Sequence, residues 1–393
     1  MDIRDQGPDG EPGEARPPVI DAVRPRNVIS STDGRVPDGR VPDGRGSERD
    51  GAPALTRRAT RTITLNDVAS LANVSPQTVS RALRAPDLVS ERTLERVRWA
   101  ISTTGYVPNL AASNLASNRS RTVAAIIPTI AASVFADALH GLDAVLTPAG
   151  YQLFIGSTDY DLEHEENLIR AFMGRRPDGM FIVGTKHTPA ATLMLRNARI
   201  PVVEAWNWID DPIDSLVGFS NRDAIEAIVA YVVGKGYRHP TFAGSFRLGD
   251  SRAVDRQLSF TQTVQRLLPG EAVRVIDSGS GTVDLQTGIT LLDRTLAEHP
   301  ETDVLMFASD VFAAGALLEA RRRGMDVPGD LAITGFGDFE MARHLVPTLT
   351  TVSVPNTEIG THAGQILLQR MIGESADPEL LDLGFELMPR ESA

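Results

Sequence analysis

Residues 64–84 read TLNDVASLANVSPQTVSRALR, and the fold of the N-terminal part turns on them. Thr64 stands where it can cap a first helix, with Asp67 near that helix's positive end. Val68, Leu71 and Ala72 give the helix one apolar face, and Asn73-Val74 reads as a tight turn. Ser75 then caps a second helix in which Pro76 takes the first position, where its missing N–H costs nothing. Val79, Ala82 and Leu83 are expected to face inward, leaving Gln77, Thr78, Ser80 and Arg81 polar and outward. A third helix is predicted after Ser90 and before Gly105, with Leu94, Val97 and Ile101 as its stripe. Two short helices around a tight turn with a third in support is the helix-turn-helix plan. Gln77 and Arg81 lie about one turn apart, a spacing suited to base edges in a major groove. Between Arg61 and Arg121 eight basic residues face four acidic ones, a local excess that attracts phosphate. A plain three-helix packing unit with incidental arginines would share the apolar pattern.

Downstream the texture changes. Short apolar runs at 122–128, 151–156, 180–184, 201–204, 216–219, 241–243, 273–276, 304–308 and 331–334 alternate with amphipathic stretches such as 224–234 and 310–323. This alternation implies parallel sheets with helices on both faces. Gly150, Gly236 and Gly324 sit where helices need a left-handed stop. The run of strand-helix units exceeds what one sheet comfortably holds, so two doubly wound α/β subdomains are expected over 121–393.

Upstream, residues 1–60 are rich in Gly, Pro, Asp and Arg and repeat Val-Pro-Asp-Gly-Arg at 36–40 and 41–45. Such a segment buries too little apolar surface to offset its ordering entropy, so a disordered tail is expected, either inert or touching DNA through its arginines. The whole chain is acidic, with a net charge of -12 at pH 7, which weighs against wholesale nucleic-acid coating but not against a locally basic segment. It contains no cysteine, which excludes disulfides and thiol chemistry and fits a cytoplasmic setting. Neither an apolar signal-peptide core nor a membrane-spanning apolar run is evident, and no metal or cofactor motif appears.

The segments Leu65-Asn66-Asp67-Val68-Ala69, Val74 through Arg81 and Gly105-Tyr106-Val107-Pro108-Asn109 resemble the signature of the LacI family of transcription regulators. The likeness extends over residues 62–393. It implies a helix-turn-helix DNA-binding domain at 61–108, a hinge helix and linker at 109–120, and a dimerising sensor at 121–393 that resembles periplasmic sugar-binding proteins. By that likeness Pro76, Gln77 and Arg81 occupy base-reading positions, and Thr64, Ser75, Thr78, Ser80 and Asn109 occupy phosphate-contact positions. Residues 109–116, including Ala112, resemble the family's hinge helix, with Leu115 as an apolar wedge for the minor groove rather than a linker side chain packed on the core. Such a short segment is not stable as a helix alone. The expected partners are double-stranded operator DNA, a second copy of the chain and a small effector.

Stretches such as Val217-Gly218-Phe219-Ser220-Asn221 and Pro201-Val202-Val203-Glu204 are similar to gluconate-utilisation repressors within that family, which implies gluconate or a related sugar acid as effector. Ligands of open α/β sheets lie at the carboxyl ends of strands, which nominates Phe135, Thr185, Lys186, His187, Glu204, Phe219, Arg256 and Asp310. Arg256 can grip a carboxylate with its planar fork, and its position matches the family's effector-binding arginine. Lys186 and His187 could assist, Glu204 and Asp310 could accept from hydroxyls, and either phenylalanine could cover an apolar face. Many members carry Asn-Asp where this chain has Ser309-Asp310, and Asp-Asp where it has Gly337-Asp338, which weighs against an ordinary neutral sugar. A transport-type solute-binding protein would share the sensor fold but not the helix-turn-helix, and a regulator of this plan could also act as an activator or with a corepressor. An enzyme on a doubly wound fold is disfavoured because no dinucleotide fingerprint, P-loop or nucleophile elbow is present.

Overall fold

A computed structural model describes residues 63–108, 119–130, 133–247, 249–279 and 283–393. The expected tail, and Asn109, Ala112 and Leu115 of the expected hinge, lie outside them.

The N-terminal unit consists of α1 (Leu65–Ala72), α2 (Pro76–Arg84) and α3 (Glu91–Thr104). Each begins and ends for a local reason. The Thr64 hydroxyl accepts from the Asp67 N–H while the Asp67 carboxylate accepts from the Thr64 N–H, a reciprocal capping box. Asn73 ends α1 in the left-handed region at φ 50°, a conformation asparagine tolerates well. Ser75 caps α2, and Gly105 ends α3 at φ 64°. Val68, Ala69, Ala72, Val79, Ala82, Val97 and Ala100 form the core. Leu71 and Leu83, expected to face inward, are instead 41% and 40% exposed. The alanines let the helices approach closely, so the small core closes on the valines and the two leucines remain at its rim.

The rest of the chain forms two lobes. In the first, β1 (Thr122–Ile127), β2 (Gln152–Ser157), β3 (Gly179–Val183), β4 (Val202–Ala205), β5 (Ser215–Gly218) and the late β11 (Leu380–Asp382) make a six-stranded parallel sheet in the order β11-β5-β4-β3-β1-β2. Helices α4 (Ser133–Leu146), α5 (Leu162–Met173), α6 (Pro189–Arg196) and α11 (Asn356–Ile372) belong to this lobe. In the second, β6 (Pro240–Gly244), β7 (Arg274–Asp277), β8 (Val304–Phe307) and β9 (Ala332–Thr334) are parallel in the order β7-β6-β8-β9. Around them pack α7 (Asn221–Lys235), α8 (Ser251–Leu267), α9 (Leu285–Glu298) and α10 (Asp310–Arg322), with an antiparallel pair of β10 (Thr351–Ser353) and β12 (Glu386–Met388) beside them. Strands β1, β3 and β4 are buried along their whole length, as parallel strands covered on both faces must be. The sequence pattern missed β10, β11 and β12, each three residues long.

The chain crosses between the lobes after β5, after β10 and after β11. These crossings hold the carboxyl ends of the two sheets face to face. Both strand orders reverse direction at one point, between β1 and β3 in the first lobe and between β6 and β8 in the second, which is where open α/β sheets take ligands. No helix among the described residues is long and apolar enough to cross a membrane.

α4 and α11 pack backbone to backbone through glycines. A Cβ on Gly360 would stand 1.9 Å from the Ala138 carbonyl oxygen. Gly360→Ala is expected to force these helices apart and destabilise the protein by about 1–3 kcal/mol in denaturant unfolding; unchanged stability would mean the two helices can separate freely.

Candidate functional site

α2 presents a polar face. Ser75, Pro76, Gln77 and Arg81 are exposed, and Thr78 and Ser80 are half-buried above the Val79 and Ala82 face. The Ser75 hydroxyl accepts from the Thr78 N–H at 3.1 Å and lies 2.9 Å from the Thr78 hydroxyl. Arg96 reaches across from α3 and donates to the Asn73 carbonyl at 2.8 Å and also to the Ala72 carbonyl. The turn between α1 and α2 is thereby clamped by a charge-assisted pair of hydrogen bonds, which fixes the angle at which α2 is offered. Thr64, also exposed, stands at the start of α1, where backbone N–H groups and the helix dipole favour an anion.

The second site is a cleft between the lobes of about 800 Å³, its open mouth included. Phe135 at the start of α4 and Trp206 after β4 form one wall, edge to face with centroids 5.3 Å apart. Phe219 and Phe336 stack at 6.4 Å at the back, close to the first crossing. The polar side is carried mainly by residues 245–256, with Arg247, Asp250, Arg252 and Arg256 all lining the cleft. Arg252 and Arg256 are four residues apart on α8, so they share one helix face. The Arg252 Nε donates to Asp250 at 3.0 Å, and its guanidinium lies over the rings of Phe135 and Tyr160. Arg247 donates to the Asp159 carbonyl of the opposite lobe at 3.1 Å and lies over the Tyr160 ring at 5.3 Å.

Arg256 is the most constrained group. Its guanidinium sits 4.5 Å over the Phe336 ring and donates to Asn221 at 3.0 Å. Its buried Nε has no hydrogen-bond partner. Burial pulls its pKa down to about 10, against the upward pull of Asp250. Asn221 in turn donates to the Trp206 carbonyl and to Asn207, and Asn207 donates to Asp255 at 2.9 Å. One polar chain therefore ties the cation to both lobes. Backbone strain gathers in the same place. Asp159, Tyr160 and Trp206, none of them glycine, hold φ of 51°, 63° and 71°.

Of the residues nominated from sequence, Phe135, Phe219 and Arg256 come together in this cleft. The others do not join them. Thr185 stands behind it, 3.4 Å from the Asn207 amide. Lys186 is exposed on an adjoining recess beside Glu165 and Arg252. The His187 and Glu204 side chains are buried in the first lobe, where His187 bonds Glu165 at 2.6 Å and Glu204 at 3.2 Å. Asp310 is wholly buried, accepting from the Thr351 hydroxyl at 2.6 Å and the Phe339 N–H at 2.7 Å. Burial raises its pKa to about 7 in spite of those two bonds. A strand-end rule identifies which loops meet, but not which way their side chains turn. Tyr160, Arg247, Asp250 and Arg252 were missed, although Arg252 and Arg256 at helical spacing were a readable signal.

The His187 pKa is lowered by burial, but Glu165 and Glu204 outweigh that and hold it up at about 9. A pKa raised on folding adds stability that is fully present below 6.5 and lost as pH rises through about 9. Unfolding free energy should therefore fall across that window by on the order of 3 kcal/mol, and His187→Gln should flatten the fall; an equal slope in the variant would remove His187 as its source.

The comparisons with known proteins cover both sites. Residues 64–109 match the model of bacterial regulatory proteins of the lacI family, and residues 229–393 match a periplasmic binding protein-like domain. The HTH-type transcriptional regulator GntR of Pseudomonas aeruginosa is 36% identical over 338 residues, covering 85% of this chain and 97% of the relative. The HTH-type transcriptional regulator IdnR of Escherichia coli is 32% identical over 83% of this chain and 97% of its own length. A solved LacI-family regulator from Silicibacter pomeroyi superposes with a TM-score of 0.78 at 35% identity, covering 84% of this chain and 99% of that one. The lac repressor dimer bound to operator, at 22% identity and a TM-score of 0.72, shares the fold. With an N-terminal helix-turn-helix, a two-lobed sensor and relatives of this closeness along most of its length, the chain belongs to the LacI family of bacterial transcription regulators.

Proposed function

We propose that this regulator acts in the cytoplasm as a homodimeric repressor, and that a sugar acid of the gluconate type, bound between the sensor lobes, sets its affinity for operator DNA. The observation that carries the effector reading is the cleft's charge. Three guanidiniums, one of them buried without a carboxylate in contact, surround space walled by aromatic rings. A buried cation of that kind calls for an anionic ligand. The similarity to GntR and IdnR supports the same class.

For DNA, Gln77 and Arg81 are the proposed base readers, with Pro76 beside them, and Thr64, Ser75, Thr78 and Ser80 the proposed phosphate contacts. Asn109, Ala112 and Leu115 would extend the contact through the hinge. A dimer is supported by apolar side chains left in water, Phe154 and Ile155 on edge strand β2 and Leu285 and Leu318 on α9 and α10. Two copies would set two recognition helices in successive major grooves. An effector that binds one lobe arrangement a hundredfold better than the other would shift the equilibrium by about 2.7 kcal/mol.

In operator-binding titrations, Arg81→Ala should cost about 1–3 kcal/mol and relax specificity at one base pair; an equal loss on all DNA sequences would refute base reading. In a thermal-shift screen, gluconate or a related sugar acid should stabilise the protein where neutral sugars do not. Arg256→Met should abolish the effector's influence on operator affinity while leaving operator binding itself intact, and a retained response would remove Arg256 from the effector site.

A further inference from the structure

The end of the first sheet opposite the cleft carries a patch of arginines. Strands β4, β3 and β1 lie side by side, so the segments leading into them meet at one rim. Those segments, 119–121, 174–178 and 196–201, hold Arg119, Arg121, Arg175, Arg176, Arg196 and Arg199 against a single acid, Asp178, in a chain that is acidic overall. All six arginines are exposed. The Asp178 carboxylate is taken up by backbone. It accepts from the N–H groups of Ser120 and Arg121 at 2.8 and 2.9 Å, which pins the entry to β1 against the entry to β3. Arg121 and Arg175 donate to carbonyls, those of Ala149 and Ala171. Arg196 meets Asp211 in a pair open to water. Arg121 and Arg176 hold left-handed backbone at φ 55° and 54°, a conformation seldom adopted by arginine and one that persists where its surroundings impose it.

The DNA-binding unit is tethered to this same rim. Pro108 and Arg119 are eleven positions apart, so the chain can hold them no farther apart than roughly 40 Å. A duplex gripped by α2 therefore stays at high local concentration beside the arginines, and it presents a phosphate charge about every 1.7 Å of its length. The other half of the rim, before β5 and β11, carries Asp211, Asp214, Asp377 and Glu379, which bounds the patch and repels phosphate toward the side of β1, β3 and β4. We propose that this arginine rim, with Arg175 and Arg176 foremost, grips operator DNA by its phosphates as a second contact beyond the helix-turn-helix. Planar guanidiniums match phosphate oxygens. Phosphate contacts position a duplex and carry no base information, so the rim strengthens binding to every sequence alike. The inference rests on the chain's being a DNA-binding regulator and is independent of the effector, whose cleft lies at the opposite ends of the strands.

The test is the salt dependence of DNA binding by the full chain, measured as the slope of log affinity against log salt concentration. In the double variant Arg175→Gln, Arg176→Asn, the second change keeps a residue that tolerates left-handed backbone. The slope should become shallower by about 0.9 for each guanidinium that meets a phosphate, and affinity should fall by a like factor on operator and on an unrelated duplex. The preference for operator should stay as it was, in contrast to Arg81→Ala. An unaltered melting temperature would show the variant to be folded. Arg266→Gln, which removes an exposed cation of the second lobe, should leave the slope unmoved. An unchanged slope in the double variant would overturn the proposal and leave the rim to an acidic protein partner. A comparable fall in Arg266→Gln would also overturn it, by assigning the effect to net charge. Both results would leave the helix-turn-helix contact standing.

Discussion

A guanidinium buried against an aromatic ring, without a carboxylate in contact, is the constraint around which the sensor is arranged. Moving such a charge out of water is costly unless hydrogen bonds and counter-charge replace its hydration. In this protein the replacement is incomplete. Asn221 takes one donor of Arg256, Phe336 covers one face, and the Nε is left over. Nearby Asp250 raises the cation's pKa without touching it, and burial still prevails. The folded protein therefore leaves one buried donor of Arg256 without a hydrogen-bond partner.

The polar chain from Arg256 carries that local deficit into the geometry of the whole sensor. Asn221 stands just past the first lobe crossing and bonds the Trp206 backbone, so the cation's partner is also a joint between lobes. On the other side of the cleft, Gly249 lies so close to Tyr160 that a Cβ there would fall 1.9 Å from its carbonyl oxygen. Arg247 bonds the carbonyl of Asp159 next to it. These polar contacts stand beside a buried apolar cluster that runs from the first lobe into the second, with Phe135, Trp206 and Phe219 on one side and Ala308 and Phe336 on the other.

The DNA-reading unit follows the opposite rule. Its order is local: a capping box at Thr64 and Asp67, a left-handed asparagine at 73, a serine cap at 75 and the Arg96 clamp onto the turn. Every one of these satisfies a backbone group that a short helix would otherwise leave orphaned. A recognition helix of nine residues could not hold its shape without them.

The sequence by itself determined the helix-turn-helix and the order of the long strands, because caps, turn residues and helical or strand periodicity are written in residues that neighbour one another. Nine strand runs were legible for that reason, as were the aromatic and cationic character of the cleft at Phe135, Phe219 and Arg256. What tertiary structure alone decided was direction. His187, Glu204 and Asp310 occupy strand-end positions that could face a ligand, yet all three are drawn into internal hydrogen bonds by partners distant in the chain. Arg252 and Tyr160 enter the cleft because two lobes close on each other, and β11 joins the first sheet after an excursion of more than a hundred residues. Contacts of that separation leave no trace in local pattern, since they depend on which surfaces the crossings between lobes bring together.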